Sequence, residues 1–214
     1  LHKIPEEVSW TAGALVEPFS CGYYAAQQAD NVDASDTAIV FGAGPIGLGV
    51  VAAASAKGAR VIIAEPSKER AAVAMKLGAE AVFDPSAPDA IEQAMKLTDG
   101  KGATVVFEAS GKTQAMAMTL EVSGFRARLV NIGINVGDSA TAKLGLIQSK
   151  ELQVRGIIGS PGVWPETIRF LARTGIDLSP LVTKQFDLAD AASAYDAVLN
   201  DKAQIKVHVQ SNAK

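Results

Sequence analysis

One cysteine, Cys21, and two histidines, His2 and His208, are all that 214 residues offer of the commonest soft metal ligands. A single thiol excludes an internal disulfide and a cysteine-rich structural zinc site built from these residues alone. It agrees with a reducing, cytoplasmic setting. Neither histidine has acid, base or ligand side chains spaced around it, so both read as structural or exposed. Charge of one sign is also missing, with 20 basic against 23 acidic residues and a net of −3. That balance supplies no basic surface for nucleic acid and no polybasic stretch for a membrane. No apolar run approaches the roughly 20 residues of a membrane span. The opening Leu1-His2-Lys3-Ile4-Pro5 lacks the apolar core of a signal peptide. It also lacks an initiator Met, and a fragment or processed piece of a longer protein is expected.

What is present is a hydrophobic content of 48%, enough for a substantial core. The middle of the chain alternates two patterns. Short apolar runs predict strands at Ala38–Phe41, Arg60–Ala64, Ala81–Phe83, Thr104–Glu108, Arg128–Ile132 and Leu152–Ile158. Most are continuously apolar, as strands become when helices cover both sheet faces. Between them, helical spacing predicts Ile46–Lys57, Lys68–Leu77, Pro88–Leu97 and Thr113–Val122. Alternating units of this kind imply a parallel sheet with right-handed crossovers. The expected fold is α/β, a doubly wound Rossmann sheet of order 3-2-1-4-5-6. The ends break the rhythm. A short helix is expected around Thr11–Val16. After residue 163 come a helix at Trp164–Thr174, a strand at Leu181–Phe186, a helix at Asp190–Leu199 and a strand at Ile205–Val209.

The chemistry concentrates in Thr37–Gly47, an apolar strand running into Gly42-Ala43-Gly44-Pro45-Ile46-Gly47 and then a helix. G-x-G-x-x-G alone is weak. Followed by a helix, a second strand and a terminal acid, it points to a dinucleotide. Gly42 turns the chain out of the strand, Gly44 admits a pyrophosphate to the backbone, and Gly47 lets helix and sheet pack closely. The helix start at Pro45 and Ile46 offers unpaired N–H groups and partial positive charge to phosphate. Glu65, ending the second strand, suits both ribose hydroxyls and repels a 2′-phosphate, which favours NAD over NADP. Arg70 pulls both ways, since a cation there can accept a 2′-phosphate or bind a ribose oxygen. A tight glycine turn without a ligand, and a Glu65 that merely precedes the Ser67 helix cap, are the plainer alternatives.

Ala14-Leu15-Val16-Glu17-Pro18, the glycine loop through Leu48, and Phe107-Glu108-Ala109-Ser110-Gly111 together resemble the medium-chain, zinc-dependent alcohol dehydrogenase family. Glu65-Pro66-Ser67 with Arg70, Leu77-Gly78-Ala79 and Asp84-Pro85 are most similar to its butanediol/sorbitol dehydrogenase branch. The resemblance implies the end of a truncated, GroES-like catalytic domain at residues 1–20, an NAD-binding Rossmann domain at 21–162, and a segment returning to the catalytic domain at 163–214. It implies that Glu17 supplies or approaches a catalytic zinc, with the other ligands and the proton relay outside this chain. It gives Cys21 a place beside the nicotinamide as an inert thiol. Ala109 and Ser110 would pass the cofactor ribose, Ile132, Gly133, Ile134 and Ile157 would hold the carboxamide, and Lys206 would reach the pyrophosphate. The turn at Ser123–Arg128 is bulkier and more basic than the family's glycine-rich one, which puts its local geometry in question.

The implied activity is hydride transfer from a secondary alcohol or diol to NAD, with zinc in the complete protein and a chain that binds NAD without turnover. A homodimer through the Leu152–Ile158 edge strand is expected. Three rivals stay open: a zinc-independent NADP quinone or enoyl reductase, a non-catalytic NAD-binding module, and an S-adenosylmethionine methyltransferase.

Overall fold

The computed structural model describes residues 1–211. Six parallel strands form one sheet in the order β3-β2-β1-β4-β5-β6: β1 Thr37–Phe41, β2 Arg60–Ala64, β3 Ala79–Phe83, β4 Ala103–Glu108, β5 Ser123–Asn131 and β6 Gln153–Gly156. The expected order is therefore observed. The reversal falls between β1 and β4, whose register pairs Phe41 with Glu108 at the C-terminal edge. Diverging crossovers at such a point open a crevice above the sheet.

Helices cover both faces. α1 Trp10–Ala14, α2 Val16–Gln28, α3 Pro45–Ala56, α4 Lys68–Lys76 and α8 Trp164–Thr174 lie in the chain with α5 Ala90–Leu97, α6 Thr113–Val122, α7 Gly145–Ser149 and α9 Ala191–Asn200. One core joins Phe19, Ala25, Val50, Val51, Ile63, Phe107, Ile168 and Leu171. The other joins Ile39, Phe41, Ile62, Phe83, Ala94, Val106 and Leu129. Alternate residues of β1 and β2 enter opposite cores, which is why those strands read as unbroken apolar runs.

Three local expectations are corrected. The short helix at Thr11–Val16 is two helices, α1 and the longer α2. Pro18 sits in the first turn of α2, where its missing N–H has no partner to lose. Gly22 allows the α2 backbone to approach α3, since a Cβ there would clash with the backbone at Gly49 and Val50. The expected domain boundary after residue 20 falls inside this helix. Second, β5 begins at Ser123, immediately after α6, so the basic stretch is strand rather than turn. The pairing with β4 is irregular between Ala103 and Val105, and Arg126 takes up the slack at φ 60°, donating its N–H to Lys150 O at 2.7 Å. Third, the edge strand is shorter than Leu152–Ile158. Leu152 turns into the core while all of β6 is exposed.

The end of the chain forms a small parallel pair, β7 Val182–Asp187 with β8 Lys206–Gln210, bridged by α9. Leu178, Leu181 and Ile205 anchor it in the same core as α2 and α3. Among the described residues, no helix is long and apolar enough to cross a membrane.

Candidate functional site

The crevice at the strand reversal holds a cavity of about 600 Å³, walled by Gly42, Ala43 and Gly44 after β1, Ala64 at the end of β2 with Glu65, Pro66 and Arg70 beyond it, and Ala109 and Ser110 after β4. Gly42 leaves the strand at φ 93°, a conformation that L side chains rarely adopt, and its N–H donates to Ala64 O at 2.9 Å. Gly44 is the N-cap of α3, with Pro45 as first helical residue. A Cβ at Gly44 would meet nothing within 4 Å, so the loop faces open space. A Cβ at Gly47 would clash with Gly42 O, so that glycine brings the first turn of α3 onto the loop. Ile46 and Gly47 then present N–H groups with no acceptor inside the helix. Together these features make a cradle for an anionic group.

Glu65 stands opposite. Its Oε2 accepts from Ala43 N at 2.7 Å and its Oε1 from Ser67 N at 3.0 Å. Two backbone donors fix the carboxylate plane while each oxygen keeps acceptor capacity. Ser67 caps α4 by accepting from Arg70 N at 3.3 Å. Arg70 is committed elsewhere, its Nη2 donating to Lys202 O at 2.7 Å and Gln204 O at 3.0 Å in the turn before β8.

The β4 wall has a feature to which the sequence motif gave no role. Glu108 is fully buried, and its carboxylate accepts from the Ser110 N–H (2.8 Å), the Ser110 hydroxyl and the Gly111 N–H (3.1 Å). Its backbone oxygen accepts from Ile132 N at 2.8 Å and Gly133 N at 2.9 Å. A Cβ at Gly133 would clash with Gly111 N and Glu108 Oε2. Glu108 thus ties the turn after β4 to the stretch after β5. An acid closing an apolar strand was the available signal.

The other candidates spread further. Ile132, Gly133 and Ile134 follow β5 beside this buried carboxylate, and Ile157 donates its N–H to Asn131 O at 3.0 Å after β6. None of these four walls the cavity. Lys206 lines a separate hollow with Trp10, Thr11, Ala14 and His208. Glu17 lies exposed in the first turn of α2. Among the described residues, no group of three or more His, Cys, Asp or Glu is arranged to hold a metal, so these residues alone do not fit a zinc ion. Cys21 is buried, with the Ser20 and Ser160 hydroxyls, themselves 2.6 Å apart, near its thiol. Burial pushes that thiol above its ordinary range, the Ser160 hydrogen bond opposes the rise, and Glu17 adds to it.

Residues 45–173 match the family described as zinc-binding dehydrogenase. The chain belongs to that family. This zinc-binding dehydrogenase chain is 34% identical to an (R,R)-butanediol dehydrogenase of Neisseria gonorrhoeae, the match covering 99% of the chain and 60% of that protein. It is 31% identical to a sorbitol dehydrogenase of Bacillus subtilis over 98% of the chain and 60% of that protein. Among solved structures, 2R,3R-butanediol dehydrogenase from Bacillus subtilis superimposes with a TM-score of 0.88 at 32% identity, covering 99% of this chain and 60% of that one. The chain thus spans about 60% of the length of these relatives. The resemblance read from the glycine loop, Glu65-Pro66-Ser67 and Phe107–Gly111 leads to the same family.

Proposed function

We propose that this chain is the cofactor-binding part of an NAD-dependent alcohol or polyol dehydrogenase acting on a secondary alcohol or diol. The observation that carries the reading is Glu65, held by Ala43 N and Ser67 N across the cavity from the helix start. A carboxylate in that place takes the two hydroxyls of an adenosine ribose and repels a 2′-phosphate. The first turn of α3, reached past Gly44, takes the pyrophosphate. NAD supplies the hydride chemistry when bound, and the chain's own groups bind and orient it. Ala109 and Ser110 border the path toward the β5 and β6 ends, where Ile132–Ile134 and Ile157 are assigned to the nicotinamide carboxamide, and Lys206 is assigned to the pyrophosphate.

The names of the relatives support a polyhydroxylated substrate. Residues 1–20 and 163–214 are read as parts of a second, catalytic domain, which would supply the partners that Glu17 lacks for zinc. The buried single thiol agrees with a cytoplasmic protein, and exposed β6 with a homodimer.

Calorimetric titration of the chain with NAD and NADP tests the assignment. The expected result is saturable NAD binding, NADP binding weaker by about tenfold or more from charge repulsion at Glu65, and no alcohol oxidation. Tighter NADP binding overturns the NAD assignment and favours the quinone or enoyl reductase alternative. Turnover by this chain overturns its reading as a cofactor half.

A further inference from the structure

Glu65 explains why a 2′-phosphate is repelled, but Arg70 lines the same cavity and carries the charge that would welcome one. A guanidinium matches phosphate in charge and in the spacing of its donors. What the Arg70 side chain does instead is donate Nη2 to two backbone carbonyls, Lys202 O and Gln204 O, 132 and 134 residues away in the chain.

That turn is itself braced. Asp201 Oδ1 accepts from Ala203 N at 2.9 Å, and Asp201 Oδ2 accepts from Gln204 Nε2 at 2.7 Å. From β7, the Thr183 hydroxyl donates to Gln204 Oε1 at 2.7 Å and accepts from Ile205 N at 3.1 Å. Buried Ile205 fixes the following residue in the core. The two carbonyl acceptors are thus held in place by groups that line no part of the cavity. To turn Nη2 onto a 2′-phosphate, Arg70 would have to release both carbonyls, and only its Nε and Nη1 donors lie outside this pair of bonds.

Resting on the reading of this cavity as an adenosine-ribose site, we infer that the turn at residues 201–204 is a specificity determinant for the cofactor. It holds the Arg70 guanidinium by its Nη2 end, and so sets which of the arginine's donors can face a ribose beside Glu65. Asp201 and Thr183 are positioning residues: they touch no cofactor and act through Arg70. Lys112, the other cation lining the cavity, is not among the groups that brace the turn.

The test compares NAD and NADP dissociation constants by calorimetry for the full chain and for Thr183→Val/Asp201→Ala, each with Arg70 present and with Arg70→Ala. Loosening the turn is expected to move the NADP-to-NAD affinity ratio toward NADP by about fivefold, the worth of one partly exposed arginine–phosphate contact. The shift vanishes in the Arg70→Ala background. Thr183→Val alone, the milder change, moves the ratio the same way by about twofold and serves if the double variant fails to fold. A purely structural role for the turn would weaken both cofactors alike. An unchanged ratio with binding retained overturns the inference, as does a shift that persists without Arg70, which would implicate Lys112. If the unmodified chain binds neither dinucleotide, the reading of the cavity itself fails, and the inference with it.

Discussion

Glu108 has no solvent exposure, yet it is an acid that ends a strand at the mouth of the site. A buried carboxylate persists only where hydrogen bonds satisfy it, and here the turn after β4 supplies them. Glu108→Gln keeps the shape but replaces one acceptor oxygen with an amide that faces other donors. The expected cost is about 2 kcal/mol of unfolding free energy, from one buried donor left unpaired in a packed turn. NAD affinity should fall by about tenfold, because the Ser110–Gly111 turn loses part of the carboxylate that anchors it. Chemical denaturation and calorimetry on the same variant check both, and wild-type affinity would remove Glu108 from the binding architecture. Glu65→Gln should behave differently. Half-buried and held by only two backbone donors, it should leave stability within about 1 kcal/mol while narrowing the gap between NAD and NADP. Thermal melts beside the two titrations separate these cases.

At the scale of elements, the six strands and the crossover helices were legible because both-face burial writes itself as unbroken apolar runs. The Gly42–Gly47 turn was legible because its backbone conformation and close packing restrict the residue types there, and the place of Glu65 because an acid closes an apolar strand. What stayed hidden was long-range. α2 carries Pro18 and Gly22, two residues that normally argue against a helix, and the second is tolerated because α3 packs against that face. The Arg70 contacts join residues more than 130 positions apart, and no local pattern encodes them. Lys206 and His208 share β8, whose placement depends on its pairing with β7. There His208 Nε2 is buried without a hydrogen-bond partner among the described residues, and burial, then the charge of Lys206, pulls the imidazole below its ordinary value. A depressed histidine stabilises the fold fully above its unfolded value near 6.5 and loses that contribution as the pH falls through the folded value. Stability should therefore decline on acidification below about pH 6.5, and His208→Gln should flatten that limb. Denaturant midpoints measured from pH 8 to pH 5 decide it; parallel curves for the two proteins would rule His208 out.

The whole molecule presents a six-stranded sheet with two unlike edges. β3 carries Glu80, whose carboxylate lies 3.6 Å from Arg60, a charge that guards the edge. β6 exposes all four residues, Val154 among them, and the neighbouring Ile158 is 76% exposed. The Arg155 guanidinium, the one charge on β6, is turned away to Gln28 O at 2.8 Å. An edge left this bare invites pairing, and a second copy related by a two-fold axis satisfies it with the same strand from both sides. The sheet would then continue through twelve strands, with each cavity walled by the ends of β1, β2 and β4 rather than by β6. Val154→Lys places like charges across such an axis and should weaken association by about tenfold or more, with NAD affinity unchanged. Light scattering over a concentration series, alongside NAD titration, reads both quantities. A monomer at every concentration of the unmodified chain would refute the edge-strand dimer, and an equally tight Val154→Lys dimer would place the contact on another surface.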